Sequence, residues 1–415
     1  MTKRRVVVTG IGAVTPIGLN VPEFWNNLIS GKSGAAPITY FDASKFDTQF
    51  AAEVKNFNPD NYFDKKSVKR LDRFTQFALA SSAEAIKDSD IKLDKINKDR
   101  AGVIYGSGIG GLETMTNEHW KYFQDKNPKM ISPFFVPMMI SDLAAGQISI
   151  RFGLKGPNYA TTSACSTASH AISDAFMIIE RGSADIMVCG GSEASITEIG
   201  IGGFNAMRAL STWNGRYAEA SRPFDKDRNG FVMGEGGGTL IIEELNHALS
   251  RGAKIYAEIA GIGLTADAHH ITAPAPGGEG AVRSMKIAVD DAGLLLTDID
   301  YINAHGTSTP HNDVNETRAI KTLFVEHAYK LVVTSTKSMT GHLLGAAGAI
   351  EAIATLLSIN NSLIPPTINL DNPDPECDLD YSAKKVTEKE VNAAISNTFG
   401  FGGHNASILF KKFEE

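Results

Sequence analysis

Apolar runs of strand length recur along the whole chain, and several of them end in Gly-rich turns. The clearest runs occupy residues 5–10, 101–105, 184–189, 238–243 and 330–334. Between them lie segments whose apolar residues have helical spacing, most clearly residues 73–87 and 281–292. Because strands and helices alternate in this way, we predict an α/β protein with mainly buried sheets.

A short pattern near the start of the chain returns in its second half. Residues 6–12 read Val-Val-Val-Thr-Gly-Ile-Gly, and residues 257–263 read Ala-Glu-Ile-Ala-Gly-Ile-Gly. Each copy is followed later by a Gly/Ala/Ser-rich passage of the kind that joins a strand to a helix. A duplicated α/β unit explains this echo, and chance recurrence of short Val/Ile/Gly patterns is the alternative. We predict two halves, residues 1–253 and 254–415, that share one interface.

The net charge and the cysteine content limit which partners and which cellular compartment we expect for this protein. The net charge is −7, which argues against nucleic acid as a partner. The three cysteines lie far apart without metal-ligand spacing, which fits a reducing compartment. The first apolar run is too short for a signal peptide or a membrane span, so we predict a cytoplasmic protein. One local basic cluster is either a solvated face or a dock for an acidic partner; it consists of Lys65, Lys66, Lys69 and Arg70.

Small residues surround one cysteine, Cys165, in the sequence Thr-Ser-Ala-Cys-Ser-Thr-Ala. The pattern predicts a helix that begins near Cys165. The positive end of a helix dipole lowers the pKa of a nearby thiol and raises its thiolate fraction. We therefore predict a nucleophile, and the alternative is an inert cysteine buried in a tightly packed helix. Cys189 reads as a core strand residue, and Cys377 lies in an acidic, Pro-rich loop that predicts a raised pKa.

Two histidines stand in similar small-residue surroundings. His305 opens a Gly/Ser/Thr loop directly after an apolar strand, a place where α/β proteins set polar groups. His342 precedes a small-residue helix and follows Lys337. A helix N-terminus disfavours the imidazolium, so we expect His342 to be neutral and to donate one N–H. A lone histidine in either place is more often structural, but two such histidines and a candidate nucleophile together favour a catalytic site.

The last motif is the Gly-rich segment 400–405, which contains Phe401. Its backbone can approach a ligand closely, and its N–H groups suit an oxyanion hole. A tight structural turn is the alternative. Residues 121–137 mix aromatic, Lys, Pro and Met residues, which predicts an inserted loop or a helical cap and not core sheet.

Taken in order, these motifs resemble those of the β-ketoacyl-acyl carrier protein synthases. The matching segments are Gly156-Pro157, residues 164–167, residues 305–309, residues 337–342 and residues 400–405. The resemblance implies a thiolase-like fold with two pseudo-symmetric halves stacked as five αβαβα layers. It also implies an elongating 3-oxoacyl synthase that condenses an acyl group with a malonyl group, both carried by acyl carrier protein. The first half would hold the nucleophile and the capping insertion, and the second half would hold both histidines.

The resemblance assigns roles to the motif residues. Cys165 would accept the acyl group, and the backbone N–H groups of Cys165 and Phe401 would bind the thioester oxyanion. His305 and His342 would assist the loss of carbon dioxide from the malonyl group and stabilise the enolate. Lys337 and Glu351 would form a charged pair behind the histidines.

The remaining implied roles concern substrate and support. Thr307 and Thr309 would bind the pantetheine arm, and Phe401 would also act as a gate. Substrate contacts would further include Ile109 and Phe134 in the acyl pocket, Phe399 and Gly400 in the gate loop, and Asp267, while Asp313 would support the site from behind. No role follows for His404, where the family often has Thr. The resemblance implies a homodimer, and no resident cofactor or metal, because the carrier's phosphopantetheine arm brings both substrates.

Four other interpretations compete with this one. Biosynthetic thiolases place a second reactive cysteine in the late Gly-rich loop, and residues 400–405 contain none. Initiating synthases use His and Asn where this chain has two histidines, and silent chain-length factors lack the nucleophile that Cys165 provides. A polyketide ketosynthase has nearly the same site and stays open, as does the choice between the two elongating types. Carrier docking on Lys65, Lys69 or Arg208 is a hypothesis.

Overall fold

The computed structural model describes residues 3–414, and ten of the fourteen strands in that range form one large sheet. The strands are β1 Val6–Val14, β2 Ala36–Pro37, β3 Phe50–Ala51, β4 Ala101–Gly106, β5 Asn158–Tyr159, β6 Ile186–Glu193, β7 Gly236–Glu244, β8 Ala257–Ala266, β9 Tyr301–Asn303, β10 Val332–Thr334, β11 Leu363–Ile364, β12 Thr387–Glu388, β13 Ala393–Gly400 and β14 His404–Lys411. The helices are α1 Val21–Ile29, α2 Lys65–Val68, α3 Arg73–Asp88, α4 Leu112–Asp125, α5 Phe135–Met139, α6 Leu143–Phe152, α7 Thr167–Glu180, α8 Glu198–Ala206, α9 Leu245–Ser250, α10 Glu279–Asp291, α11 Pro310–Phe324, α12 Lys337–Thr340 and α13 Ala347–Asn361.

The order of strands in the large sheet repeats itself. It runs β10-β9-β13-β14-β8-β1-β7-β6-β4-β5, so the second-half order β10-β9-β13-β14-β8 mirrors β5-β4-β6-β7-β1 of the first half. Parallel and antiparallel pairings also correspond, because β4 is parallel to β5 and β6 just as β9 is to β10 and β13. The echo in the sequence therefore reflects a duplicated unit. The two units join where residues 6–8 of β1 pair with residues 257–259 of β8, which makes the sheet continuous.

Glycines in the repeated pattern explain why the echo is visible in the sequence. A Cβ atom on Gly12 of β1 would lie 2.0 Å from the carbonyl oxygen of Ser81 in α3. A Cβ atom on Gly263 of β8 would lie 1.9 Å from the carbonyl oxygen of Ser284 in α10. Since only glycine permits so close an approach of helix to strand, both halves need it at the same place.

Packing of helices against these strands produces five layers. α3 and α6 cover one face of the first-half strands, and α10 covers the second-half strands together with α11. α7 and α13 lie between the halves, since α7 packs on β6 and β4 while α13 packs on both β13 and β7. α13 is buried through nearly all of its length, as a helix between two sheets must be. The αβαβα arrangement that the resemblance implied is confirmed.

The predicted elements begin within two residues of the observed ones, but two strands end four residues later than predicted. β1 continues past its predicted end through Gly12, and β6 continues through Gly190 and Gly191. A run of apolar residues ends where a glycine interrupts it, whereas the observed strand continues through the glycine. Residues 121–137 contain the end of α4, a 3-10 turn at Pro128–Met130 and the start of α5, and they contribute no strand. This agrees with the prediction of an inserted loop or a helical cap and not core sheet.

Two matching turns lead into the central helices, and we call them the first and second elbows. The first elbow is Ala164–Ser166, a short 3-10 turn before α7, and the second is Leu344–Ala346 before α13. Ala164 has φ +51° and Leu344 has φ +49°, a left-handed conformation that costs energy for a residue other than glycine. Across residues 3–414, no helix is long and apolar enough to cross a membrane.

Candidate active site

Cys165 occupies the first elbow, at the end of the connection from β5 to α7. The predicted helix begins at Thr167, so Cys165 stands in the turn before it and not in its first residues. The side chain is buried, with 7% of the residue exposed. It is oriented toward a cavity that the second half of the chain also lines.

His305 follows the last residue of β9 by two positions. The backbone N–H groups of His305 and Gly306 donate to the two carboxylate oxygens of Glu316 in α11, over 2.9 and 2.8 Å. The carboxylate therefore fixes the backbone that presents the imidazole. Burial raises the pKa of Glu316 to about 7, while these two N–H groups act to lower it.

His342 lies in the turn between α12 and the second elbow, five residues before α13 begins. Its Nε2 is 3.0 Å from the sulfur of Cys165. Its Nδ1 accepts a hydrogen bond from the backbone N–H of Leu344 over 3.3 Å. Because Nδ1 is an acceptor, we infer that the proton of the neutral ring is on Nε2, where it is directed at the sulfur.

The three predicted residues meet although they come from both halves of the chain. One donor atom from each of Cys165, His305 and His342 lies within 4.8 Å of the other two. The two imidazole rings are 5.3 Å apart and nearly perpendicular, at 86°. Cys and His are the ligand types that zinc prefers. With the proton of His342 on Nε2, the arrangement also suits hydrogen bonding to a bound group.

Both histidines are neutral at physiological pH. Burial lowers the pKa of His305 well below its usual value, and the charges of Lys337 and a protonated His342 lower it further. Burial, followed by Lys337, lowers the pKa of His342 in the same way. The predicted neutrality of His342 is thus supported, but the cause is burial and a nearby ammonium group and not a helix N-terminus.

The prediction of a lowered thiol pKa at Cys165 is wrong. Burial raises the pKa of this thiol to about 12. The charge of Lys337 and the backbone N–H of Phe401 act to lower it, and the carboxylates of Glu351 and Glu193 act to raise it. Desolvation of a buried thiolate outweighs the helix dipole here, because Cys165 lies outside the first turn of α7.

Lys337 and Glu351 form a buried ion pair behind the histidines. The ammonium group of Lys337 in α12 donates to Oε1 of Glu351 in α13, and both residues are about 2% exposed or less. Burial raises the pKa of Glu351 to about 7, and Lys337 opposes that rise. Removing one partner would leave a buried charge without compensation, which is costly.

The Gly-rich loop forms the hairpin turn between β13 and β14. Phe401 begins the turn, and Gly402 and Gly403 have φ of +84° and +73°, which favours glycine at both positions. Asp267 fixes the base of this hairpin, because its Oδ1 accepts from the side-chain amide of Asn405 over 2.6 Å. Its backbone N–H also donates to the carbonyl of Gly403 over 2.9 Å.

A cavity of about 420 Å³ connects the three residues to the surface. Most of the predicted substrate-binding residues line it: Ile109, Asp267, Thr307, Thr309, Phe399, Gly400 and Phe401. The hydroxyl groups of Thr307 and Thr309 are 2.8 Å apart, side by side. Phe134 is not brought to this cavity within the described chain. Its ring instead lies under the guanidinium group of Arg70, 4.4 Å away, just before α5.

Asp313 and the other two cysteines lie deeper in the molecule. Asp313 is fully buried in α11 and accepts from the backbone N–H of Phe224 over 2.9 Å. Cys189 is a core residue of β6, as predicted. Cys377 is also buried, and burial is the main reason that its pKa rises to about 12, so the predicted direction is right.

The basic cluster lies on and around α2. Lys65, Lys66, Lys69 and Arg70 are all exposed. Arg208 is exposed as well, and it lines the cavity, whereas no residue of the basic cluster does.

Two buried carboxylates at the site escaped the sequence analysis. Glu316 holds the backbone of His305 and Gly306, and Glu193 lines the cavity at the end of β6. Each accepts backbone N–H groups from segments that are distant in sequence or lie in a loop, so spacing alone gives no sign of the contact. The sequence does give a weak indication for Glu193, because a carboxylate at the end of a buried strand needs hydrogen-bond donors nearby.

Comparison with known proteins gives consistent matches along the chain. Residues 3–248 match the family described as "Beta-ketoacyl synthase, N-terminal domain", and residues 256–371 match its C-terminal domain. The chain is 52% identical over 414 residues to a protein of Synechocystis named 3-oxoacyl-[acyl-carrier-protein] synthase 2, covering 100% of this chain and 99% of that one. A protein of the same name from Staphylococcus aureus strain COL is 54% identical, with 99% of both chains covered. A ketosynthase of a type II PKS, solved in complex with its acyl-carrier protein, superposes with a TM-score of 0.92 at 33% identity and 100% coverage of both chains.

Proposed function

This chain belongs to the β-ketoacyl synthase family, and we propose that it elongates acyl chains as a 3-oxoacyl-acyl carrier protein synthase of type II fatty acid synthesis. The reaction is a decarboxylative Claisen condensation of an acyl-carrier thioester with a malonyl-carrier thioester. The observation that carries the proposal is the meeting of Cys165, His305 and His342 at one end of a cavity. A nucleophile opposite two neutral hydrogen-bond donors suits that chemistry.

The first step transfers the acyl group to Cys165. The sulfur attacks the carbonyl carbon of the acyl-carrier thioester, a new C–S bond forms, and the carrier thiol leaves with the proton. The backbone N–H of Phe401, which acts to lower the pKa of the thiol, would stabilise the thiolate and then the oxyanion, together with the N–H of Cys165. The Nε2–H of His342 also faces the sulfur and favours its charged form.

The second step removes carbon dioxide from the malonyl thioester. The bond between the α-carbon and the carboxylate breaks, and its electron pair stays on the α-carbon as an enolate. The enolate oxygen would accept hydrogen bonds from His305 and His342. Neutral imidazoles are the suitable donors, because the pKa of each is held far below neutrality by burial and by Lys337.

The third step makes the carbon–carbon bond. The α-carbon attacks the acyl carbonyl on Cys165, the C–S bond breaks, and the thiolate returns as the 3-oxoacyl-carrier leaves. Lys337 and Glu351 would keep the electrostatic balance behind the histidines, while Asp313 would support the site through its hydrogen bond with the backbone N–H of Phe224. Phe401 would move as a gate when Cys165 is acylated.

Further residues would bind the substrates. The paired hydroxyls of Thr307 and Thr309 suit the amide groups of a pantetheine arm, and Ile109 suits an acyl chain. Phe134 would complete an acyl pocket only in a partner subunit, since its ring lies outside the cavity of its own chain. The phosphopantetheine arm of the carrier would supply the thiol chemistry, without a resident cofactor or metal.

The proposed macromolecular partners are acyl carrier protein and a second copy of the chain. An acidic carrier would meet the basic cluster on α2 and Arg208, which lines the cavity. A homodimer would use the edge strand β5, whose two residues are exposed. The opposite edge strand, β10, is covered by a bridge to Asp380. The cytoplasm, where thiols stay reduced, is the proposed compartment.

The test separates acylation from condensation. Intact mass after mixing with acyl-loaded carrier should show one added acyl group on the wild type and none on Cys165→Ala. His305→Ala and His342→Ala should still acquire the acyl group, although His342→Ala should do so more slowly because it loses the N–H that faces the sulfur. Both should lose condensation by at least about 100-fold, because the enolate loses a donor in each. An acyl group on Cys165→Ala, or full condensation by both histidine variants, would refute the proposal.

A further inference from the structure

Glu193 is a fully buried carboxylate at the junction of the two halves. It is the last residue of β6, and 0% of it is exposed. Its side chain borders the cavity that contains Cys165 and Ile109. The reaction steps derived above assign it no role, although a buried carboxylate is costly unless the protein uses and compensates it.

Five donors surround this carboxylate. Oε2 accepts the backbone N–H groups of Gly108 and Gly345, over 2.9 and 3.1 Å. Oε1 accepts the backbone N–H of Ile109 over 3.3 Å and two hydroxyl groups, those of Ser107 and Ser195, over 3.1 and 3.2 Å. Since N–H groups donate to both oxygens, the ionised form fits the surroundings.

The backbone N–H donors belong to two separate segments. Gly108 and Ile109 follow β4 in the first half, whereas Gly345 is the middle residue of the second elbow in the second half. A Cβ atom on Gly345 would lie 2.3 Å from the backbone nitrogen of Gly108 and 2.7 Å from Oε2 of Glu193. Glycine is therefore required where the carboxylate draws the two segments together.

We propose that Glu193 is a positioning residue that fixes the Ile109 wall of the acyl cavity against the second elbow and so sets how strongly the enzyme favours long acyl chains. This inference rests on the proposed function and deepens it. Ile109 stands on a loop that Glu193 holds through two consecutive N–H groups. Apolar residues complete that part of the cavity, namely Phe204, Met207, Phe231 and Leu344.

The link to chain length follows from how a methylene group is recognised. Each CH₂ of the acyl chain that leaves water contributes about 0.8 kcal/mol, provided that the wall stays in contact with it. If the wall is displaced, the gain per added CH₂ decreases. A defect confined to the chemistry would instead lower the rate for all chain lengths by one common factor.

The experiment measures transfer of acyl groups from the carrier to Cys165 for a series of saturated chains of increasing length. In Glu193→Gln the amide NH₂ would face backbone donors, so the loop should relax. We expect the preference for the longest over the shortest chain, expressed as a ratio of kcat/KM, to fall at least about tenfold relative to wild type. Ser195→Ala removes one donor without adding another, so it should lower the ratio in the same direction and by less.

Burial raises the pKa of Glu193, so a second readout tests whether this carboxyl group is charged in the folded protein. The charge of Glu193 acts to raise the pKa of the Cys165 thiol, as does Glu351, whereas Lys337 acts to lower it. Alkylation of Cys165 in Glu193→Gln should therefore occur at lower pH than in wild type. Should Glu193→Gln fail to fold, Ser195→Ala and Ser107→Ala provide the chain-length test alone.

An unchanged chain-length ratio in the folded variants would overturn the inference, whatever the loss of thermal stability. A uniform loss at every chain length would overturn it as well. Failure of the proposed function looks different, because wild-type Cys165 would then acquire no acyl group from the carrier at any length. Wild-type acylation with an unchanged ratio in the variants would refute only the role of Glu193.

Discussion

The first and second elbows share a backbone but differ in what they hold. Each has a residue other than glycine at a φ near +50° and is followed by a central helix. At the next position the first elbow has Cys165 and the second has Gly345. The N–H of Gly345 meets the carboxylate of Glu193, whereas Cys165 faces His342 and an open cavity. The duplicated fold thus contains the same turn twice. In the second elbow a backbone N–H binds the carboxylate of Glu193, whereas the first elbow faces a cavity in which substrate can bind.

The strands beside the two elbows show the same contrast. β6 ends in Glu193, which binds five donors, and β13 ends in Gly400, which leads into the Phe401 hairpin. A Cβ atom on Gly400 would lie 3.1 Å from the backbone nitrogen of Cys165. One strand end is anchored by a buried side chain, and the other brings its backbone close to that of the first elbow.

Replacing Cys165 by Gly would make the two elbows alike. We expect no acyl adduct on Cys165→Gly and a fall in condensation rate of at least about 1,000-fold, because the covalent intermediate cannot form. Intact mass and product formation from acyl- and malonyl-carrier measure this, with far-UV circular dichroism as the check on folding. An acyl adduct on the variant would show that another residue is the nucleophile, and the contrast between the two elbows would then be wrong.

The second elbow should not accept even a methyl group. Gly345→Ala places its Cβ against the backbone of Gly108, so we expect the free energy of unfolding to fall by about 3 kcal/mol. Gly203→Ala in α8 is the matched control, since its Cβ would meet nothing within 4 Å. That substitution should raise the free energy of unfolding by about 0.5 to 1 kcal/mol. Urea denaturation of both variants measures these free energies of unfolding. Equal changes in the two variants would mean that the second elbow is not tightly packed.

Acid should weaken the packing of α7 more than that of α13, because only α7 contains a partly buried histidine. His170 of α7 occupies the position that the buried Ile350 occupies in α13, and its Nδ1 is 2.6 Å from the hydroxyl of Ser163. Burial, and then His404, lowers the pKa of His170 to about 4. The unfolded state therefore binds the proton more tightly, and stability that is complete above pH 6.5 is lost as the pH falls toward 4.

The variant His170→Ile copies the second helix and should reduce this loss by up to about 1.4 kcal/mol per pH unit. Urea midpoints at several pH values between 4 and 6.5 measure the slope for variant and wild type. His305 and His342 titrate with the same sign and stay in both proteins, so only the difference in slope is informative. Parallel slopes would show that His170 does not distinguish the helices.

The smallest effect concerns backbone strain in the first elbow. Ala164→Gly relieves a positive φ but makes the unfolded chain more flexible, so the free energy of unfolding should change by less than about 1 kcal/mol. Ala171→Gly, inside α7, gains no such relief and should destabilise by about 1 kcal/mol. Thermal unfolding of the pair tests this, and equal destabilisation would mean that the elbow backbone is unstrained.

Much of the fold was predictable from sequence because its signals are local. Strand runs, helical spacing and the repeated Gly-x-Gly pattern depend on neighbours in the chain, and Gly12 and Gly263 keep their pattern for the same steric reason. The gathering of Cys165, His305 and His342 followed from the resemblance and is present in the structure. The division at residues 253 and 254 stays a prediction.

The parts that escaped prediction depend on distant contacts. The pKa of Cys165 is set by burial between layers, which no local pattern reveals. Phe134 looks like a pocket residue by position, yet its ring stacks with Arg70 outside the cavity. Glu193 and Glu316 bind backbone N–H groups, and such partners leave no trace in residue type.

The pairing of β1 with β8 has a mechanical consequence. It joins the two halves edge to edge, while α7 and α13 join them face to face, so one half cannot slide past the other without breaking both contacts. The separation of 3.0 Å between the sulfur of Cys165 and Nε2 of His342 is measured across this doubly fastened boundary. The rate at which Cys165 reacts with a small thiol reagent should therefore report whether the two halves keep their relative positions.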